Sequence, residues 1–350
     1  MPNENPLRIL VITSRPLTDG AGNPIVLLDV EEERRRLRVA LDLSPSPSPE
    51  RRGERAAFAR FLPEATTGAI IDALADEWDV VHFTGHGASD ARVLLEDEFG
   101  VGQLVGAQEL TQLFGARIPR VVVLSLCYSA RAAATALRDA GIGAVVAIEA
   151  DQPISDKAAI IFNQQFYAML ARGAPVGAAF ERAQTRVVQD AQVGDAHPPL
   201  DGDGKPEAPW SQRFMLIGDG NIAFAVGAFD KTPSQPEPRA IGNLRARNAN
   251  FVGRAKEIVE IVKTFDGRGV LSNAPTPRVA IIGAGGIGKT ELSKAVAWWY
   301  VERGKADAVL WASVSRDEGE FILRDLASLL SIVARGFVPL IVNLVLFWRL

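Results

Sequence analysis

Residues 79–87 read DVVHFTGHG, a run of apolar residues that turns on Gly85 and Gly87. A short, β-branched, apolar run bounded by glycine predicts a buried strand that ends sharply. Two of the chain's three histidines stand here. His82 lies inside the apolar run, where a side chain points into packing. His86 comes at the strand's end, and in parallel α/β sheets ligands and chemistry collect just beyond the carboxyl ends of strands.

The flanking sequence repeats this form. LRILVI (7–12) predicts a core strand, and VEEERRRLRVALD (30–42) a helix with Glu31 and Glu32 four residues before Arg35 and Arg36. SPSPSPE (44–50) is a solvated loop, and ATTGAIIDALADEW (65–78) a helix. IPRVVVLSLCYSA (118–130) is an apolar strand that ends on Cys127, followed by the helix ARAAATALRDAG. GIGAVVAIEA (141–150) is another strand. SDKAAIIFNQQFYAMLARG (155–173) and the stretch from Pro175 to Asp190 are helices, and RFMLIGDG (213–220) is a final strand. Helices alternating with apolar strands predict a doubly wound, mostly parallel α/β sheet.

Composition narrows the function. With 47 % hydrophobic and 23 % charged residues the 350-residue chain is that of a soluble globular protein of two domains. A net charge of −4 argues against a nucleic-acid partner. The single cysteine excludes an intrachain disulfide and a cysteine-based zinc site, and points to a cytoplasmic location. The amino terminus lacks a signal-peptide pattern. The apolar run 337–348, broken by Pro339 and Asn343, is shorter than the roughly 20 residues a bilayer span needs, so no membrane is expected.

His86 and Cys127 thus end separate strands, and a thiol becomes a nucleophile when an imidazole base stands within hydrogen-bond reach. A buried structural cysteine and a satisfied loop histidine fit the same spacing, so the residues alone leave both readings open.

The HFTGHG and LSLCYSA boxes, in that order, carry a resemblance. So do LLEDEFGVGQLVGAQELTQLF (94–114), AIEADQPISDKAAIIFNQQFYAML (147–170) and PWSQRFMLIGDG (209–220). Over about residues 6–225 the chain resembles the CHAT family, caspase-like cysteine peptidases of clan CD related to separase. The resemblance implies a caspase-like sheet and a protein or peptide substrate. It makes His86 the catalytic base and Cys127 the nucleophile, with the backbone N–H groups of Gly87 and Cys127 as the oxyanion hole. No third triad member is demanded, and His82 is left to structure. Asp156, in PISDKAA, matches an acidic position that helps shape a substrate pocket. An acidic residue that opens a helix commonly caps its N–H groups instead, which is the favoured reading here. Glu149 and Asp151 are equally ambiguous.

Beyond Phe229 the sequence turns proline-rich and polar, which predicts a first domain over 1–228 and a linker over 229–249. In the remaining 250–350, GAGGIGKT (283–290) satisfies the P-loop pattern, after an apolar strand expected at Val279–Ile282 and before a helix. Gly283, Gly285, Gly286 and Gly288 let backbone N–H groups curl around phosphate oxygens. Lys289 reaches the β- and γ-phosphates, and the Thr290 hydroxyl ligates magnesium. ATP or ADP with Mg²⁺ is the expected cofactor.

FVGR (251–254), the P-loop and ADAVLWASVSRDEGEF (306–321) together resemble the NB-ARC/STAND class of signalling NTPases. That likeness places Val252 near the adenine and implies homo-oligomerisation through the module. No strand ending in acidic residues follows, so the module is read as the amino-terminal part of such a domain and ATP hydrolysis is not expected. Two readings of the whole chain result. One is a cysteine endopeptidase coupled to a nucleotide switch in a bacterial defence or cell-death effector. The other is a non-catalytic nucleotide-binding scaffold with an inactive CHAT-like domain.

Overall fold

A computed structural model describes residues 7–26, 28–41, 57–88, 92–126, 130–148, 154–225, 241–242, 244, 248, 251–265, 279, 281–306 and 308–309. Two compact units emerge: Met1–Pro16 with Val26–Gln235, and Leu17–Ile25 with Pro236–Leu350. Leu17–Ile25, which the sequence reading leaves in the first domain, thus belongs with the second unit.

The first unit runs β1 (Leu7–Thr13), α1 (Val30–Ala40), β2 (Ala57–Leu62), α2 (Thr67–Leu74), β3 (Val80–Gly87), β4 (Val93–Glu96) and β5 (Gly102–Val105). It continues through α3 (Ala107–Leu113), β6 (Val121–Leu126), α4 (Ala130–Asp139), β7 (Ala144–Ile148), α5 (Asp156–Leu170), α6 (Val176–Val188) and β8 (Phe214–Gly218). The sheet order is β2-β1-β3-β6-β7-β8. All neighbours are parallel except β8, which runs antiparallel to β7. The hairpin β4–β5 leaves the sheet by pairing β4 with the tip of β3. The mostly parallel α/β sheet is as the sequence predicts.

Strand periodicity divides the core. Leu7, Ile9 and Val11 join Val80, Val121 and Val123 on the face that α1, α5 and α6 cover. Leu10, Ile12, Val81, Phe83, Val122 and Leu124 face α2, α3 and α4. Because side chains alternate along a strand, His82, Thr84 and His86 share the α1/α5 face with Ser125. On that face Phe162 stacks on Phe214 at 3.9 Å and meets Phe180 edge-on. At β3's end the backbone passes very close to β1. A Cβ on Gly85 would come within 2.9 Å of Ser14 Cβ and 3.1 Å of the Ser14 carbonyl oxygen, so only glycine fits.

Helix α1 is capped by Asp29, whose side chain accepts from the Glu32 N–H. Glu32 pairs with Arg36 at 2.6 Å, as the spacing predicts, and also with Arg35. Glu31 turns instead to Arg34 and Arg15. Strands β2, β4 and β5 and helix α3 carry no clear sequence signal. AFARFL mixes arginine into the run, and four-residue strands are too short to display an alternation.

In the second unit β9 (Ile241–Gly242) and β10 (Ala308–Val309) form a parallel pair, beside α7 (Ala255–Phe265) and α8 (Lys289–Glu302). The predicted apolar stripe of α7 is buried at Ile258, Val259, Ile261 and Val262, and Phe265 meets Tyr300 of α8 edge-on. The strand expected ahead of the glycine loop is not formed among the described residues. Val279, Ile281 and Ile282 belong to no strand, and Ile282 is 87 % exposed. A strand exists by pairing, and the one ladder described in this unit joins β9 to β10. No described helix is long and apolar enough to cross a membrane.

Candidate active site

His86 and Gly87 end β3, and both are half-buried. In the parallel pairing of β3 with β6, Thr84 stands opposite Ser125 and Gly85 opposite Leu126. His86 and Cys127 are therefore the residues that directly follow a paired position on adjacent strands. Cys127 itself lies outside the described residues, as do Glu149 and Asp151.

His86 Nε2 lies 2.7 Å from the carbonyl oxygen of Val26, in the segment that leads into α1. A carbonyl only accepts, so Nε2 carries the hydrogen and Nδ1 of the neutral ring keeps its lone pair. The sequence reading assigns no partner to this histidine. No residue type signals it, because the contact is made by backbone.

Beside His86 a cleft opens between α1, β3, β6 and α5. Thr84, Gly85 and Ser125 line it together with three acidic residues, Asp29, Glu33 and Asp156, and no lysine or arginine lines it among the described residues. Its free volume is about 30 Å³, room for about one water molecule.

Asp156 is the first residue of α5, after the cap position Ser155, and it does not act as the helix cap. Its carboxylate instead lies near the Asp29 N–H and close enough to feel His86. Enclosure of the carboxyl raises its pKa, and the negative charges of Glu33 and Asp29 add to this. The Asp29 N–H and His86 oppose the rise without cancelling it, and the carboxyl stays above the ordinary aspartate range. The cap expected from sequence gives way to a charged rim.

Glu33 and His82 are buried polar residues that the apolar patterning conceals. Thr84 Oγ1 donates to Glu33 Oε2 at 2.7 Å, and Asn163 Nδ2 donates to Glu33 Oε1 at 2.9 Å and to Ser125 Oγ at 3.0 Å. His82 is fully buried, as expected, yet among polar groups. Its Nε2 stands 3.4 Å from Glu33 Oε1, and its Nδ1 is 2.9 Å from the Tyr167 hydroxyl. Burial alone would push the Glu33 carboxyl up. The nearness of His82, with the bonds from Thr84 and Asn163, outweighs burial and holds it below its ordinary value. Burial, reinforced by Glu33, pushes Tyr167 well up, so its hydroxyl stays protonated.

The second unit presents the glycine loop. Residues 283–288 precede α8, with Gly286 and Gly288 in the left-handed region at φ 81° and 86°. Gly283 and Gly285 are exposed, and Thr290 lies exposed in the first turn of α8. Lys289 Nζ folds back to donate to the carbonyls of Gly283 and Ala284, at 2.8 and 2.7 Å. Arg254 Nη2 donates to the Ile287 carbonyl, which ties FVGR to the loop, whereas Val252 is 81 % exposed. The open backbone, left-handed glycines and lysine at a helix start suit a phosphate group. No cluster of His, Cys, Asp and Glu that could hold a metal occurs among the described residues.

Comparison with known proteins gives a family. No curated protein matches the chain. Among solved structures, the Arg-specific cysteine proteinase gingipain R aligns at a TM-score of 0.39 and 15 % identity. That alignment covers 63 % of this chain, which spans about half (48 %) of that one. A pyridoxal kinase from Staphylococcus aureus aligns at a TM-score of 0.29 and 9 % identity, over 61 % of this chain and 99 % of its own. The CHAT domain model matches residues 12–219, from the first strand through the last strand of the sheet. That match takes in more than half of the chain, which therefore belongs to the CHAT domain family.

Proposed function

We propose that the protein is a caspase-like cysteine endopeptidase coupled to a nucleotide-binding switch module. The observation that carries the reading is the register of β3 with β6, which ends at Gly85 opposite Leu126, the residues directly before His86 and Cys127. Strand alternation gives Ser125 the parity of Thr84 and His86, the face that carries the acidic cleft, and Cys127 follows it by two residues in sequence.

In this mechanism His86 Nδ1 takes the proton of the Cys127 thiol, and the thiolate attacks the carbonyl carbon of the scissile peptide. The Val26 carbonyl keeps the other proton on Nε2. The charge of Asp156 favours the imidazolium that forms. Backbone N–H groups of Gly87 and Cys127 hold the developing oxyanion. The C–N bond breaks as His86 gives its proton to the leaving amine. Water then attacks the thioester, releasing the acid and restoring the thiol.

The cleft favours a cationic side chain before the scissile bond, because Asp29 and Asp156 line it and no lysine or arginine does so among the described residues. At about 30 Å³ it must widen, by movement of its rim, to admit a lysine or arginine. That narrowness also favours a second reading, a nucleotide-gated scaffold that binds partners without cutting.

In the second unit, the backbone N–H groups at the start of α8 and Lys289 would hold the phosphates of ATP or ADP, and Thr290 the accompanying Mg²⁺. Bound nucleotide would favour one arrangement of an NB-ARC/STAND-like module, and self-association would bring peptidase domains together in a defence or cell-death effector.

Hydrolysis of peptides bearing lysine or arginine, measured on the full chain and on Cys127→Ala, tests the reading. Cleavage lost in the variant supports it. Equal cleavage by both removes it, and an inert Cys127 thiol leaves the scaffold.

A further inference from the structure

The buried carboxylate of Glu33 joins its own helix to two further elements directly and to a third through Asn163. It sits on α1, takes a hydrogen bond from Thr84 of β3, and takes another from Asn163 of α5, which also donates to Ser125 of β6. Thr84 and Ser125 are direct register partners, each two residues before His86 or Cys127. The segment that leads into α1 carries the Val26 carbonyl bonded to His86 Nε2. Beneath, His82 and Tyr167 continue the polar chain into the core.

A carboxylate buried in this way is a poor choice for stability alone, since apolar residues of similar volume often serve as well. What this one provides is registration. Strands β3 and β6 are already paired by backbone, whereas α1 meets them through side chains, and Glu33 pins it one helical turn from Asp29.

We propose that Glu33 is a positioning residue. It holds α1, and with it the Val26 carbonyl, against the strand tips, and so fixes the Nε2–H tautomer that leaves His86 Nδ1 free as a base. The purpose assigned to this device rests on the peptidase reading, but its existence can be tested without any hydrolysis.

The chain has three histidines, so ¹⁵N-histidine labelling of the full protein gives a simple spectrum, assigned with His197→Gln and His86→Gln. His86 is expected to show a single Nε2–H tautomer in the wild type and a mixture of tautomers in Glu33→Gln. Thr84→Val, which removes one donor to Glu33, should act the same way, and Thr84→Ser should restore the wild-type pattern. Should Glu33→Gln fail to fold, the Thr84 pair decides alone. Alkylation of Cys127 by iodoacetamide at neutral pH should slow about twofold or more wherever the tautomers mix, in step with the share of Nε2–H tautomer lost.

A His86 tautomer unchanged in folded Thr84→Val and Glu33→Gln overturns the proposal. So does a variant that loses only cleavage after basic residues while His86 stays pinned, which would make Glu33 a substrate contact. A tautomer that responds in a protein whose thiol is inert supports the positioning role and defeats the peptidase reading.

Discussion

His86 Nε2 and the Val26 carbonyl oxygen stand 2.7 Å apart, and this one contact decides which nitrogen of the ring carries a hydrogen. The third partner of the proposed dyad is a backbone group, so the identity of residue 26 matters little to it. The Val26 side chain is 79 % exposed. Val26→Ala is expected to keep peptide cleavage within about twofold of wild type. His86→Ala should lower it about a hundredfold or more. Initial rates on one basic peptide compare the two.

Asp156 is expected to govern substrate charge. Asp156→Asn should lower kcat/KM about ten- to a hundredfold for peptides with lysine or arginine before the scissile bond, the range of a hydrogen bond to a charged group. Peptides with a neutral residue there should be much less affected.

The direction of the Asp156 shift also sets a pH dependence. With its pKa raised, the carboxyl is charged above the folded value and takes its proton, as pH falls, before a free aspartate would. The preference for basic substrates should therefore fade at a pH above the ordinary aspartate range. The folded state binds that proton more tightly than the unfolded state, so the ionised group opposes folding at neutral pH. Asp156→Asn should leave the thermal midpoint unchanged or raise it.

Glu33 has the opposite sign. Its folded pKa is depressed, so its contribution to stability is complete above the unfolded carboxylate range and is lost as pH falls through the folded value. Glu33→Gln should cost about 3 kcal/mol at neutral pH, the scale for removing one partner of a buried pair. The variant should also show a shallower loss of stability on acidification. Urea titrations at pH 7 and at acid pH measure both.

Lys289 reaches back to the carbonyls of its own loop. Phosphate oxygens would compete for the same ammonium. Lys289→Ala is expected to weaken binding of ADP about ten- to a hundredfold by calorimetry.

Much of this was legible from residues alone. Apolar runs named β1, β3, β6, β7 and β8, and helical periodicity named α1, α5, α6 and α7, because burial imposes a period of two or near 3.6 on each element by itself. The glycine–histidine and leucine–cysteine boxes marked the strand ends where chemistry collects. Local patterning was silent on β2 and the β4–β5 hairpin, where pairing with a neighbour creates the strand. It gave Val279–Ile282 a strand that lacks any such neighbour among the described residues.

By itself, the sequence determined a parallel α/β sheet with a histidine and a cysteine following its strands, and a glycine loop before a helix. Tertiary structure alone decided that Val26, sixty residues before His86, sets its tautomer. It likewise decided that Asp156 lines a cleft instead of capping a helix, and that Glu33 and His82 share a buried network. These assignments depend on which surfaces of α1, α5 and the strands pack together. A side chain or carbonyl takes on its chemical role from groups brought near by folding, and those groups leave no periodic mark along the chain.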